Sequence, residues 1–352
     1  MECSRRPGLE IPLRVLRFLL AILLLLAVAA GYLVLVPYGP KSETFVDIPS
    51  GTGTPRIAAL LEEHGAVRNR YAFDLLHLIK GGRLRAGEYR FDNSVRMAEV
   101  YARLARGDVY TRTLVIPPGY NIFDIAHAVE QAGLGRRDVF LAAERANAGM
   151  IHNQSPGATS LEGFLFPDTY RFGRHATPEM MLAAMVRRWE HVVDQLRPET
   201  TAWVPYPTVN GAVDSHIDWK AVVTMASLIE KEVAQDPERP LVSGVFVTRL
   251  RRGMPLQTDP AVIYAALISG RYRRTIYASD LHFDSPYNTY IHSGLPPGPI
   301  CNPGVASLRA ALAPAKTDYV YFVSDAAGHS RFAKTLDEHA SNVAAYRQAQ
   351  GR

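Results

Sequence analysis

The chain has 352 residues, of which 47% are apolar and 21% charged, a composition typical of globular proteins that excludes disordered, collagen-like and multi-pass membrane classes. Lys and Arg number 39 against 34 Asp and Glu, for a net charge of +5, and so small an excess over this length argues against nucleic-acid binding. Two cysteines are too few for a disulfide scaffold or a cysteine-rich zinc site.

An uncharged apolar run lies near the N-terminus, at residues 18–36. A helix of this length spans about 28 Å, close to the hydrocarbon thickness of about 30 Å. Four arginines precede the run, at positions 5, 6, 14 and 17, and segments rich in Lys and Arg stay in the cytoplasm. We therefore predict a cytoplasmic leader over 1–17, a single transmembrane anchor over 18–36 and an exported remainder. A cleaved signal peptide ending near 27–29 is the alternative.

After the anchor, strand-like and helix-like patterns alternate over 44–110. They predict strands at 45–48 and 87–91 and helices at 54–64, 70–79 and 95–106. This small membrane-proximal αβ module resembles the LysM-like modules that bind glycan chains. Part of its pattern recurs 68 residues later, where Ile116-Pro117 and Gly119 repeat Ile48-Pro49 and Gly51. This sequence echo, a repeat at an offset of 68 residues, predicts a second strand-helix unit over 111–146. The repeat arises either from duplication or because any strand–turn–helix unit favours these residue types.

The region 111–347 is predicted to form a larger mixed α+β domain. A polar segment at 146–160 predicts a boundary or a flexible loop. Helices are predicted at 177–196, 217–234, 238–251 and 336–348, and strands at 319–323 and 331–333 pair around a turn at 325–330. The fold class is therefore α+β, with one N-terminal transmembrane helix.

The helix predicted at 217–234 carries the strongest candidate for chemistry. At helical spacing, Glu230 shares a face with Trp219 and Ala226. A carboxyl among apolar neighbours is desolvated, which raises its pKa and suits it to act as a general acid. Glu232 falls on the opposite face, which we predict to be solvated. The alternative for Glu230 is a buried carboxylate that pairs with an arginine from another segment.

Polar and aromatic residues suited to sugar contacts follow this helix. We predict substrate contacts from five of them: Gln257, Asp259, Tyr287, Asn288 and Tyr290. The Pro- and Gly-rich run 294–304 predicts a rigid loop, either a wall of the site or a structural turn. In 161–170, Glu162 and Asp168 are competing acids, unless this segment is a core strand. No metal-ligand, nucleotide-binding or GxSxG spacing occurs, so we predict neither metal nor cofactor.

Five of these segments together resemble the YceG-like endolytic murein transglycosylases, in the same order along the chain and over residues 44–347: 161–170, 226–232, 256–264, 285–304 and 332–339. The resemblance implies a LysM-like module before a catalytic region at 111–347. It implies that the catalytic residue is the first glutamate of the EKE motif, which is Glu230 here. The turn at 325–331 departs from the family pattern, so contacts there do not carry over.

The resemblance also implies a reaction and a place for it. The enzyme would cleave the MurNAc–GlcNAc bond inside nascent glycan strands, leave 1,6-anhydro-MurNAc ends and so terminate elongation. It would be a single-pass protein of the cell inner membrane, with a cytoplasmic N-terminus and a periplasmic catalytic domain. Expected partners are glycan strands, the membrane through one helix, and peptidoglycan synthases, but no nucleic acid. A non-catalytic peptidoglycan-binding scaffold and a hydrolytic muramidase are the alternative functions.

Overall fold

The computed structural model describes residues 13–196, 217–325 and 328–349. The first twelve residues of the predicted leader, with Arg5 and Arg6, and positions 326 and 327 of the predicted turn therefore lie outside the described residues. The chain divides into two compact units, residues 1–111 and 112–352.

The first unit begins with an apolar helix, α1 (Leu13–Leu35). Within the described residues it is the one helix long and apolar enough to cross a membrane. It starts five residues before the predicted span, because Arg14 and Arg17 have good helix propensity and continue the helix toward the N-terminus. Its length and composition are consistent with a single-pass anchor.

A strand–helix–helix–strand arrangement follows: β1 (Thr44–Ile48), α2 (Thr54–Glu63), α3 (Arg70–Lys80) and β2 (Gly87–Phe91), and then α4 (Met97–Arg106). β1 pairs antiparallel with β2, so that Val46 lies opposite Tyr89. The Asn69 side chain caps α3 by accepting a hydrogen bond from the backbone N–H of Ala72 at 3.0 Å. The alternating inward residues of both strands and the apolar faces of α2–α4 form one core.

The second unit opens with the same order of elements: β3 (Arg112–Val115), α5 (Ile122–Gln131), α6 (Arg137–Ala146) and, after a longer connection, β4 (Thr169–Phe172). β3 and β4 pair antiparallel. Helix α5 begins and ends 68 residues after α2, so the sequence echo corresponds to a repeated structural arrangement. This repeat agrees with both interpretations of the echo.

The rest of the second unit surrounds a buried helix. Its elements are α7 (Pro178–Leu196), α8 (Trp219–Glu232), α9 (Arg239–Arg251), α10 (Asp259–Ile268), α11 (Val305–Leu312), β5 (Tyr321–Ser324), β6 (Ser330–Ala333) and α12 (Leu336–Ala349). In α8, every residue from Val222 to Ile229 is buried, so no side of its middle faces water. β5 and β6 form the predicted antiparallel pair. The mixed α+β class is confirmed.

Two segments of the second unit differ in part from the alternatives given for them. The polar segment 146–160 is not a unit boundary, because it lies within the second unit with Ser155 and Ile151 buried. The buried Glu144 carboxylate fixes the end of the segment by accepting hydrogen bonds from the Ser160 hydroxyl and the Leu161 N–H. The following segment, 161–170, is core but mostly not strand: four of its apolar side chains are buried, and β4 begins only at Thr169.

Candidate active site

Glu230 lies inside the fold, but in a polar environment rather than the predicted apolar one. One carboxylate oxygen, Oε1, is 3.4 Å from Nη2 of Arg239, and both side chains are about nine-tenths buried. The other, Oε2, accepts a hydrogen bond from the Gly304 N–H at 2.9 Å. Arg239 also donates to Asp236 and Ser307.

These contacts give Glu230 a structural task. Gly304 immediately precedes α11, where unpaired N–H groups and the helix dipole favour a negative charge. Glu230 thus connects α8 to the start of α11 and, through Arg239, to the start of α9. The pairing of the Glu230 carboxylate with the Arg239 guanidinium corresponds to the ion-paired alternative for this residue.

Glu232, two residues later, does not face bulk water as predicted. Its half-buried side chain lines a cavity of about 430 Å³ at the C-terminal end of α8. Burial raises the pKa of Glu232 to about 7, the nearby Asp259 carboxylate adds to the shift, and the Arg249 guanidinium opposes it. A carboxyl with this pKa is protonated in about half of the molecules at neutral pH.

Three of the five predicted substrate-contact residues line the same cavity as Glu232: Gln257, Asp259 and Tyr290. The Tyr290 hydroxyl donates to the Asp259 carboxylate at 2.7 Å. Gln257 has a left-handed backbone with φ of 52°, a conformation that costs energy for a residue other than glycine and often marks a functional site. The structure therefore brings these three side chains together beside Glu232.

Arg249 lines the same cavity and bonds to the segments around it. Its buried guanidinium donates to the carbonyls of Leu256 and Val320, and it lies 5.3 Å from the ring of Tyr321. These bonds join α9 to the residue just before β5 and to the segment that carries Gln257. The Arg249 charge lowers the pKa of Glu232, against the larger effect of burial.

The other two predicted contact residues lie elsewhere. The Asn288 side chain is fully buried, and its amide donates to the carbonyls of Asp280, Leu281 and Phe283. It therefore holds the loop together and has no free donor for a sugar. The half-buried ring of Tyr287 packs on Tyr264, with 5.1 Å between the ring centroids.

Tyr287 lines a second cavity, of about 460 Å³, together with the competing acid Glu162 and with Tyr264. Glu162 accepts hydrogen bonds from the Ile122 N–H, the Tyr264 hydroxyl and the Asn302 amide, all at 3.0 Å. Burial raises the pKa of Glu162 to about 8, while the Ile122 and Tyr264 donors favour the charged form. With three donors in place, this carboxyl has the contacts of a structural group that joins segments of the fold.

The remaining candidates are structural as well. Asp168 pairs with Arg188 at 2.6 Å, on a part of the surface away from either cavity lining. The run 294–304 packs its end on α8, where the Ile300 N–H donates to the Ser227 hydroxyl at 3.1 Å. Its Pro297–Pro299 part lines the second cavity. The loop is thus a structural turn at one end and a cavity wall at the other.

Sequence reasoning missed Glu232, Arg249 and the cavity residues of β5 and α12, such as His339. A signal for Glu232 was present: Met225 and Leu228 precede it by seven and four residues and are both buried, so the face of α8 that carries Glu232 is apolar too. No local pattern indicates Arg249 or His339, because their roles depend on contacts between distant segments.

Comparison with known proteins agrees with the resemblance found in the sequence. The model of the YceG-like family matches residues 46–345. A relative from Bacillus subtilis (strain 168), named endolytic murein transglycosylase, is 32% identical over 85% of this chain and 83% of its own length. A relative of the same name from Streptococcus pneumoniae serotype 2 is 30% identical over 88% of this chain, which spans 60% of that longer protein.

A solved structure agrees as well. The crystal structure of a yceG-like protein from Listeria monocytogenes is 30% identical, with a TM-score of 0.57 over 86% of this chain and 99% of that one. The enzyme class predicted from the sequence, lytic transglycosylase, is confirmed by the names of the curated relatives. With a family match over most of its length and these relatives, the chain belongs to the YceG-like family.

Proposed function

We propose that this protein is a membrane-anchored endolytic murein transglycosylase in which Glu232 is the catalytic acid. The observation that carries the proposal is the placement of Glu232: its carboxyl lines a cavity with Gln257, Asp259 and Tyr290, and its pKa is raised to about 7. A general acid works best when its pKa lies near the working pH. The names of the curated relatives support glycan strands of peptidoglycan as the substrate.

One carboxyl is enough for the reaction. Protonated Glu232 donates its proton to the oxygen between MurNAc C1 and GlcNAc, and the C1–O bond breaks to release the GlcNAc hydroxyl. The Glu232 carboxylate then takes the proton of the MurNAc 6-hydroxyl as that oxygen attacks C1. A 1,6-anhydro ring forms, Glu232 regains its proton and no water is consumed. Two-carboxylate glycosidases need a second group to act as nucleophile or to activate water.

The surrounding residues suit the charges that change in this cycle. The Asp259 carboxylate keeps Glu232 protonated before the reaction, because it disfavours a second negative charge nearby. Arg249 favours the Glu232 carboxylate that forms after proton transfer. Tyr290, Gln257 and His339 line the cavity with groups that can bind sugar hydroxyls or stack on sugar faces.

The competing assignment, Glu230, is separated from Glu232 by a pair of matched variants. We expect Glu232→Gln to lower the rate of strand cleavage by roughly 100-fold or more, the usual effect of losing a general acid, with the fold unchanged. Glu230→Gln should instead lower stability, because the buried Arg239 loses a charged partner, and should retain cleavage where the protein is folded. Release of anhydro-ended fragments from purified glycan strands measures the rate, and circular dichroism measures the fold.

The outcome that contradicts the proposal is the reverse one, in which a folded Glu230→Gln variant is inactive and Glu232→Gln still cleaves. If neither variant changes cleavage of glycan strands that the protein binds, then the proposed reaction is wrong. If the unchanged protein binds strands and never cleaves them, the non-catalytic scaffold is favoured. Product mass separates the hydrolytic muramidase, because a 1,6-anhydro end is lighter by one water molecule than a reducing end.

The remaining parts of the proposal concern location and the first unit. We infer that α1 spans the inner membrane with its arginine-rich start in the cytoplasm, which places both folded units in the periplasm. We also infer that the first unit is a LysM-like glycan-binding module, since its βααβ order with an antiparallel strand pair suits such a module. Termination of nascent strands and contact with synthases are proposed on the family resemblance alone.

A further inference from the structure

Helix α3 in the first unit exposes an apolar face that nothing in the described fold covers. Its four members are between half and four-fifths exposed: Tyr71, Leu75, Leu78 and Ile79. Their spacing of four, three and one residues places them on one side of the helix, and the opposite side buries Phe73 and Leu76 in the core. A contiguous apolar patch of this kind on a folded unit marks an interaction surface.

The start of α3 is attached to the end of α1. Arg68, two residues before α3, donates from Nη1 to the Tyr32 hydroxyl at 2.8 Å. The same guanidinium lies 4.8 Å from the ring centroids of Tyr32 and Tyr38. Val34, in the last turn of α1, packs against the core of the first unit. The two helices are therefore neighbours within this unit.

This attachment fixes the depth of α3 relative to a bilayer that α1 spans. The uncharged run 18–36 spans about 28 Å, close to the hydrocarbon thickness of about 30 Å. Tyr32 lies four residues before the end of this run, about 6 Å along the helix, and so near the boundary between hydrocarbon and headgroups, where tyrosines are enriched. The start of α3 lies at that depth as well, because Arg68 contacts Tyr32 directly.

The charges around the apolar face fit anionic headgroups. Between residues 68 and 83 there are four cations, Arg68, Arg70, Lys80 and Arg83, and one anion, Asp74. Arg70 also pairs with the Glu62 carboxylate at 3.8 Å, so the net charge around the face stays positive. Helices that lie in the membrane interface combine an apolar face with flanking Lys and Arg. Each cation near an anionic surface adds about 1 kcal/mol of attraction.

We propose that the exposed face of α3 lies in the headgroup region of the bilayer, with its apolar side chains inserted and the flanking cations bound to anionic lipids. The first unit is then held on the membrane at two places, the spanning helix α1 and the interfacial helix α3. This inference rests on the proposed anchoring by α1. It concerns a surface separate from the catalytic cavity of the second unit.

The test uses the full chain in vesicles of phosphatidylethanolamine and phosphatidylglycerol. Cys3 is replaced by serine, and Cys301 is fully buried, so a single introduced cysteine takes the label. Leu78→Cys carries an environment-sensitive fluorophore on the α3 face. Val139→Cys is the matched control, an exposed apolar residue on α6, the counterpart of α3 in the second unit. We expect blue-shifted emission and strong quenching by a lipid-borne quencher at position 78 and neither at position 139.

A further variant adds a charge to the face. Leu75→Asp, at a half-exposed position, should leave the fold intact and reduce quenching of the label at position 78. Water-like emission at position 78, with the chain still resistant to alkaline carbonate extraction, would overturn the α3 contact and leave the anchor proposal standing. Extraction of the chain by carbonate would overturn both.

Two other occupants of the face give different results. Quenching at position 78 that disappears when each vesicle carries one chain would assign the face to a second copy of the protein. Protection of position 78 by soluble glycan strands in the absence of lipid would assign it to glycan. Either result overturns the membrane contact.

Discussion

At the scale of single residues, two glutamates on one helix have different surroundings. Glu230 is held by Arg239 and the Gly304 N–H, whereas Glu232 lines a cavity with a raised pKa. Helical spacing correctly predicted that Glu230 points into the fold, but spacing cannot say whether the interior at that point is apolar or charged. The prediction from helical spacing that Glu232 faces solvent was wrong, because the fold surrounds α8 on all sides along its buried middle.

The charge of Asp259 gives a test of the proposed acid through pH. Glu232 has to be protonated to act, so cleavage should fall as pH rises through its pKa of about 7. Burial is the main cause of the raised pKa, and the Asp259 charge adds to it. Asp259→Asn removes this second contribution, so the alkaline limb of the rate profile should move to lower pH. The measurement is the initial cleavage rate of glycan strands from pH 5 to 9.

Tyr290→Phe is the control for this shift. It removes the hydrogen bond to Asp259 but keeps the carboxylate, so the limb should stay close to its original position even if the rate falls. An alkaline limb that does not move in Asp259→Asn would mean that Glu232 is not the group that titrates.

At the scale of elements, one buried amide joins three segments of the second unit. Asn302 accepts from the Leu165 N–H at 2.8 Å and donates to the Tyr120 carbonyl at 2.9 Å and to Glu162 at 3.0 Å. Asn302→Ala leaves these buried groups unpaired, and we expect a loss of roughly 2–4 kcal/mol in the free energy of unfolding. Urea denaturation measures the loss.

The matched control is Asn147→Ala. The Asn147 amide donates only to the Ala143 carbonyl one turn earlier in its own helix, so we expect a loss below about 1 kcal/mol. Equal losses in the two variants would show that Asn302 does not connect the three segments energetically.

A glycine sets the approach of another segment to α8. Gly163 has φ of 86°, and a Cβ there would lie 2.5 Å from the Pro299 side chain and 2.7 Å from that of Val223. Gly163→Ala should therefore combine backbone strain with overpacking and lower the free energy of unfolding by roughly 2–4 kcal/mol. Thermal and urea denaturation check this value.

Gly157 separates the two contributions. It has a similar φ of 73°, with nothing within 4 Å of the site of a Cβ, so Gly157→Ala should lose only about 1 kcal/mol from backbone strain. If Gly163→Ala is no more destabilised than Gly157→Ala, the contact with Pro299 and Val223 does not limit packing.

At the scale of the whole molecule, local patterns predicted most elements but not their mutual contacts. The bounds of α2, α3, β2 and α9 lie within one residue of the prediction, because apolar periodicity and caps such as Asn69 are local signals. The bonds of Glu162 to Tyr264 and Asn302 join residues more than 100 positions apart. No local signal indicates such pairs, and for this reason the cavity beside Glu232 was missed.

Whether the apolar N-terminal helix stays in the mature protein is open to direct measurement. We expect the intact mass of the protein from the membrane fraction to include the whole of α1, because Val34 packs on the core of the first unit and the apolar run exceeds the usual length of a signal peptide core. A mass that lacks the first 29 residues, with the protein recovered in the soluble fraction, would favour the cleaved signal peptide.

The connection between α1 and the rest of the first unit is short. Only residues 36–43 separate α1 from β1. Tyr38, within this segment, exchanges backbone hydrogen bonds at 3.0 and 3.1 Å with Val95, which lies just before α4. With α1 in a bilayer, as proposed above, this short and hydrogen-bonded segment keeps the rest of the first unit next to the membrane surface. Under the proposed function, encounters with glycan strands are then restricted to the layer next to the membrane, so newly made strands are met before those farther out.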